Sequence, residues 1–144
     1  MSRHLRRSIA KLSDVVSFNR ASARADIITG LKNVFALEVF EQDMVGVKGY
    51  DLAILDALTR HNIRIISKCS NANTITHYVE SSRKALKRAA ADLEKQFTTS
   101  NISIREVAIV SAIGANLDLP GVTAMAASAL HDAGIDLLGI MQLT

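Results

Sequence analysis

Only one cysteine, one proline and no tryptophan occur in the 144 residues, and aromatic side chains make up 4%. The lone Cys69 excludes an internal disulfide and suits a reducing cytosol, so a cytoplasmic setting is expected. With so few rings, Ala, Ile, Leu and Val must fill the interior, which suits helix-on-sheet layers better than an aromatic ligand cage. No apolar run approaches the ~18 residues of a membrane span. The opening Met-Ser-Arg-His-Leu-Arg-Arg has no apolar stretch behind it and is no secretory signal. No membrane partner is expected.

Catalytic machinery is equally scarce. No glycine-rich phosphate cradle followed by Lys-Ser/Thr is present. His4, His61, His77 and His131 sit apart, none with Cys, Asp or Glu at metal-ligand spacing. Ser70, Ser111 and Ser128 lack a nucleophile-elbow context. Asp51 and Asp56 are five apart on one expected helix and do not share a face. No active site, metal or cofactor is expected.

The chain is basic, with a pI near 9.2, but the charge is unevenly spread. Residues 1–32 hold Arg3, Arg6, Arg7, Lys11, Arg20, Arg24 and Lys32 against Asp14 and Asp26, a net of +5; the whole chain is +3, which leaves −2 for residues 33–144. The basicity belongs to a leader, which reads better as a solvated or packed tail than as a nucleic-acid patch. No central strand carries the aromatic platform on which bases would stack.

What the sequence does contain is a repeat. Phe35 to Ile66 slides onto Val107 to Leu138 by 72 positions without a gap. Phe35-Ala36-Leu37 falls on Val107-Ala108-Ile109, Gly49 on Gly121, Leu58 on Leu130, and Ile63-Arg64-Ile65-Ile66 on Ile135-Asp136-Leu137-Leu138. Each copy reads as strand, glycine-bearing loop, amphipathic helix and strand, one βαβ unit used twice.

In order, residues 1–25 form a basic leader in which Leu5, Ile9 and Leu12 could line a short helix. A short strand is expected at Asp26–Thr29, closed by Gly30, with a turn at Lys32-Asn33. A long strand follows over 33–42, rich in β-branched and aromatic residues. The next helix runs over 50–61, with Leu52, Leu55, Leu58 and Ile54 as its buried stripe. Strands at 63–69 and 74–80 flank a turn at Asn71-Ala72-Asn73, and Ile75, His77 and Val79 share a face. A helix to Phe97 turns Leu86, Ala89, Ala90 and Leu93 inward and Arg83, Lys84, Lys87 and Arg88 outward. A short strand over 101–104 completes the first copy. The second copy begins at Glu106, has a helix over 122–133, and closes with a strand over 135–141.

That order is the α+β, ferredoxin-like βαββαβ unit. The second copy is incomplete at its C-terminus, because no third strand or second helix follows Gln142. The strand at 26–32 is expected to fill its edge, and a segment is expected to be missing.

The strand-to-helix loops offer the strongest chemistry. Unpaired N–H groups and a partial positive charge at a helix start attract carboxylates. Gly46, Gly49 and Gly121 would let a small ligand reach that backbone, and Asn71 and Asn73 supply amide donors and acceptors nearby. A free amino acid fits such a place; equally, the glycines could serve only to turn the chain.

Two stretches carry a family resemblance. Val107-Ala-Ile-Val-Ser-Ala-Ile-Gly114 with Leu119-Pro-Gly-Val-Thr-Ala-Met-Ala-Ala-Ser-Ala-Leu-His-Asp-Ala-Gly-Ile-Asp-Leu-Leu138 resembles the second ACT domain of aspartate kinases. Asp43-Met-Val-Gly-Val-Lys-Gly-Tyr-Asp-Leu-Ala-Ile-Leu-Asp-Ala-Leu-Thr-Arg-His-Asn-Ile63 resembles the first, and Ile28-Thr-Gly-Leu-Lys-Asn33 their leading strand. The resemblance covers about residues 26–142 and implies the C-terminal regulatory region of such an enzyme. It implies tandem ACT domains, with residues 33–105 as the first, inserted into a second made of 26–32 and 106–144. It also implies a homodimer formed by ACT–ACT pairing, an effector such as lysine, threonine or a related metabolite, and feedback control of amino-acid biosynthesis. The ATP-dependent kinase domain of the parent chain, which would act on L-aspartate, is not in this stretch, so no catalysis is expected of it alone. The effector contacts so implied are Met44, Gly46, Val47, Lys48, Gly49, Tyr50 and Asp51 at the loop and helix start, with Arg64, Ile65, Ser70, Asn71, Asn73 and Thr74 on the strands. Where lysine-sensitive members carry an aspartate on the second strand, this chain has Ile66, so the effector stays open, as does a ligand-free structural dimerisation module.

Overall fold

The computed structural model describes residues 24–117 and 121–141. The leader face of Leu5, Ile9 and Leu12, and Pro120 in the second loop, lie outside the described residues. The elements are β1 (Arg24–Phe40), α1 (Tyr50–Arg60), β2 (Arg64–Ser70), β3 (Thr74–Glu80), α2 (Arg83–Gln96), β4 (Asn101–Ala115) and α3 (Val122–Asp132). From β1 to β4 the order is βαββαβ, and the four strands form one sheet in the order β2-β3-β1-β4. This is the ferredoxin-like α+β arrangement of an ACT fold. β3 runs antiparallel to both β1 and β2, with Leu37 opposite His77 and Lys68 opposite His77 on the other side.

Two compact units are distinguished: Leu31–Ile109, and the described parts of 1–30 together with Val110–Thr144. In the first unit one face of the sheet supplies Phe35, Leu37, Val39, Ile75 and Val79 to the core. Ile54, Ala57 and Leu58 of α1 and Leu86, Ala89, Ala90 and Leu93 of α2 close over it. Leu37, Ile54, Leu58, Leu86 and Leu93 are fully buried; each contributes about 1.5–3 kcal/mol by leaving water. The chain stops α2 from running backwards with Ser82, whose hydroxyl accepts from the Ala85 N–H at 3.2 Å. At the far end of α1, Asp92 of α2 takes His61 Nε2 at 2.8 Å and Arg60 Nη1 at 3.2 Å. The His61 hydrogen bond, with Arg60 beside it, holds the Asp92 carboxyl below its ordinary range.

The 72-residue repeat survives in backbone detail. Gly49 and Gly121 precede their helices with φ of 101° and 92°, and Asn62 and Gly134 follow them with φ of 52° and 68°. Ile63 N–H donates to Leu58 O and Ile135 N–H to Leu130 O, each at 2.9 Å. The same left-handed stop thus closes both helices.

Four expectations are corrected. Lys32-Asn33 is no turn: β1 runs unbroken for 17 residues, and Asn33 takes its φ of 58° inside it. Asparagine tolerates that conformation where most residues do not. The strands expected over 101–104 and after Glu106 are one strand, β4. The buried stripe of α1 is Ala53, Ile54, Ala57 and Leu58, whereas Leu52 is 74% exposed and Leu55 40% exposed. Counting leucines misplaced the stripe because α1 buries the small Ala53 and Ala57 where leucines were expected. Finally, residues 135–141 form no strand. They pair with none of the four strands of the described sheet.

Candidate functional site

At one end of the first unit the β1–α1 loop, the β2–β3 turn and the start of α1 converge. β1 ends at Phe40, and Glu41 N–H donates to Asn73 O at 3.0 Å, which ties the loop to the β2–β3 turn. Met44 N–H donates to Glu41 O at 3.2 Å, and Val47 N–H to Met44 O at 3.0 Å, so the loop makes two successive tight turns. Met44 is buried beneath them, while Val45, Gly46, Val47, Lys48 and Gly49 are exposed. Gly46 (φ 79°) and Gly49 (φ 101°) supply the left-handed steps, and no atom lies within 4 Å of where either would carry a Cβ.

Helix α1 starts at Gly49 without a side-chain cap. Its first N–H groups therefore keep their capacity to bind an anion. Tyr50 stacks on Phe97 with ring centroids 4.3 Å apart, fixing where the helix begins. Asp51 in the first turn pairs with Lys68 of β2 at 2.6 Å. In the β2–β3 turn, Asn71 Oδ1 accepts from Asn73 N–H at 3.2 Å and from Thr74 N–H at 2.9 Å. That side chain is thus spent on shaping its own turn.

The structure therefore brings Met44, Gly46, Val47, Lys48, Gly49, Tyr50 and Asp51 together with Asn71, Asn73 and Thr74 at one end, with Ser70 leading into the turn. Arg64 lies at the opposite end of β2, engaged with Glu80 at 3.1 Å, and Ile65 beside it is 40% exposed. Between Ile65 and Ser67 the register of β2 against β3 slips, leaving Ile66 as the extra residue. The position where a carboxylate is expected in lysine-sensitive relatives thus falls on a bulge. β2 is an edge strand, with no described strand paired on its outer side. The open depressions along α3, lined by Met125, Ser128 and Asp132 and by His131, Gly134 and Ile135, touch none of these residues.

Sequence reasoning missed three participants. Lys68 is opposite His77 on the inner face and reaches α1; alternation along β2 was the available signal. His77 is fully buried, and neither ring nitrogen has a hydrogen-bond partner. Burial, with the Lys68 charge beside it, pushes its pKa down, against a smaller upward pull from Asp51. Glu41 is buried, and its carboxylate accepts from Thr99 Oγ1 at 2.6 Å and Ser100 Oγ at 3.0 Å. Nothing in the linear pattern announces that contact. Among the described residues no three His, Cys, Asp or Glu side chains gather as a metal site, and no helix is long and apolar enough to cross a membrane.

No family model matches the chain. Over 117 residues, 81% of its length, it is 43% identical to an aspartate kinase of Stutzerimonas stutzeri (strain A1501), of which it spans 25%. Its fold superposes on the aspartate kinase of Clostridium acetobutylicum with a TM-score of 0.72 at 18% identity, covering 88% of this chain and 30% of that one. For the regulatory subunit of aspartate kinase from Thermus flavus the TM-score is 0.68 at 15% identity, covering 83% of this chain and 82% of that one. Aspartokinase III of E. coli in complex with lysine and aspartate superposes at 0.52 and 18% identity, over 62% of this chain and 21% of that one. At such identities the solved structures speak for fold alone. Sequence identity to a quarter of one aspartate kinase, with a fold shared with a regulatory subunit of such an enzyme, supports a regulatory fragment of an aspartate kinase.

Proposed function

We propose that the chain is a tandem ACT module that dimerises, binds a small amino acid at the start of α1, and thereby controls the kinase domain of a longer, cytoplasmic parent enzyme. In this reading residues 33–105 are the first ACT domain, and 26–32 with 106–144 belong to the second. The division of the fold near Leu31 and Ile109 supports that assignment. The parent would phosphorylate L-aspartate, and this segment would contribute control and no chemistry.

The observation that carries the reading is the uncapped, glycine-preceded start of α1, joined through Asp51–Lys68 to an edge strand whose outer side pairs with no described strand. A carboxylate at that helix start would find free N–H donors and a favourable dipole. The E. coli relative was crystallised with lysine and aspartate, which supports an amino-acid effector of that size here. Exposed Leu52 and Leu55 give α1 an apolar surface suited to a second copy.

Ligand would act only through unequal affinity for two states of the dimer. Calorimetric titration with lysine, threonine and related metabolites, alongside sedimentation of the chain with and without them, tests this. Binding that shifts with dimerisation is the expected result. A dimer silent to every amino acid would leave a purely structural dimerisation module.

A further inference from the structure

We propose that Glu41 is a positioning residue for the effector loop, which it fastens to the α2–β4 turn; the inference rests on the effector reading above. Its carboxylate takes Thr99 Oγ1 at 2.6 Å and Ser100 Oγ at 3.0 Å, both from that turn. Its own backbone N–H holds Asn73 O, and its carbonyl holds Met44 N–H. One residue therefore ties together three connections that are far apart in sequence. Hydrogen bonds to an ionised acceptor are roughly twice as strong as neutral ones, and these bonds, Thr99 foremost, hold the carboxyl below its ordinary range despite burial.

The loop is pinned at both ends to the same base. Glu41 opens it against Thr99 and Ser100, and Tyr50 closes it by stacking on Phe97. Between those anchors lie Met44, Gly46, Val47, Lys48 and Gly49, the stretch through which a ligand would reach α1. Met44 and Asn73 are each one backbone hydrogen bond from Glu41, and Asn71 one further through Asn73 N–H.

A need of the fold does not explain the acid. The equivalent position in the second copy is Ile113, 58% exposed, yet α3 begins at Gly121 with nearly the same backbone as α1 at Gly49. Starting such a helix therefore requires no carboxylate 8 residues upstream. Burying a charge is costly unless it is fully bonded, and its bonds here go to the parts that shape the loop.

Hydrogen exchange on the 144-residue chain tests the proposal, comparing the native sequence with Glu41→Gln, Thr99→Val/Ser100→Ala and Thr99→Ser. Exchange of the amides in 42–49 and 71–74 should rise roughly tenfold in the first two variants and stay near native in Thr99→Ser, with β3 and α2 protected throughout. Parallel titrations with lysine and with threonine should show affinity weakened by a similar factor. Unchanged loop exchange in Glu41→Gln overturns the proposal, as does acceleration spread evenly over the core strands. Faster loop exchange in a chain that binds neither amino acid even in its native form upholds the fastening while removing the effector reading.

Discussion

Lys68 sets its ammonium nitrogen 2.6 Å from the Asp51 carboxylate, joining edge strand β2 to the first turn of α1. Both side chains are more than a third exposed, so the pair is worth well under about 1 kcal/mol to folding. Its weight lies in the field at the helix start. Lys68 neutralises an acid that would otherwise repel an incoming carboxylate. Lys68→Met should therefore weaken binding of an amino-acid effector roughly tenfold, and Asp51→Asn should leave it unchanged or tighten it. Both should melt within a few degrees of the native chain. Calorimetry at two salt concentrations checks this, since screening should shrink the Lys68→Met effect.

His77 makes a pH prediction with a definite sign. Its pKa is depressed in the folded chain by burial and by Lys68 of β2, with Asp51 of α1 opposing. Below about 6.5, the ordinary histidine value, the unfolded chain binds a proton that the folded chain refuses. Stability is then full above that value and falls as pH drops below it towards the folded pKa. His77→Leu removes this loss and two unpartnered buried nitrogens. It should match or exceed native stability, by about 1 kcal/mol, and flatten this part of the acid limb. Urea unfolding from pH 8 to pH 5 measures both. A native-like slope in the leucine variant would assign the acid sensitivity to groups other than His77.

How far the linear pattern reached depended on range. Local signals with a backbone cause survived: the glycines before α1 and α3, the stop at Asn62 and Gly134, Ser82 as cap of α2, and the alternation of Ile75, His77 and Val79. Signals that depend on a neighbour did not. Leu52 and Leu55 look like core by type, but α1 turns its alanines inward. Residues 135–141 have a strand's composition and form none. The Glu41–Thr99 contact spans 58 positions and has no motif.

The outward leucines make the next prediction. Leu52 is 74% exposed and Leu58 fully buried, although both lie on α1. Leu58→Ala should cost about 2–5 kcal/mol at any protein concentration, through the cavity it leaves. Leu52→Glu should change the unfolding energy of the monomer by less than about 0.5 kcal/mol. If a second copy covers that face, the same change should move the sedimentation boundary from dimer to monomer. A dimer that tolerates Leu52→Glu together with Leu55→Glu would place the contact elsewhere.

Gly49 separates conformational strain from crowding. Its φ of 101° is one that side chains rarely adopt, yet a Cβ there would meet no atom within 4 Å. Gly49→Ala should therefore cost about 1–3 kcal/mol from backbone strain alone. Asparagine tolerates left-handed backbone better, so Gly49→Asn should cost less than alanine despite its larger size. Gly121 (φ 92°), equally open around its Cβ position, should rank the two substitutions in the same order. Crowding would rank them the other way, because asparagine is bulkier. Thermal melts of the four variants decide the matter, and equal losses for alanine and asparagine at both glycines would show that the left-handed step itself is not what each helix start requires.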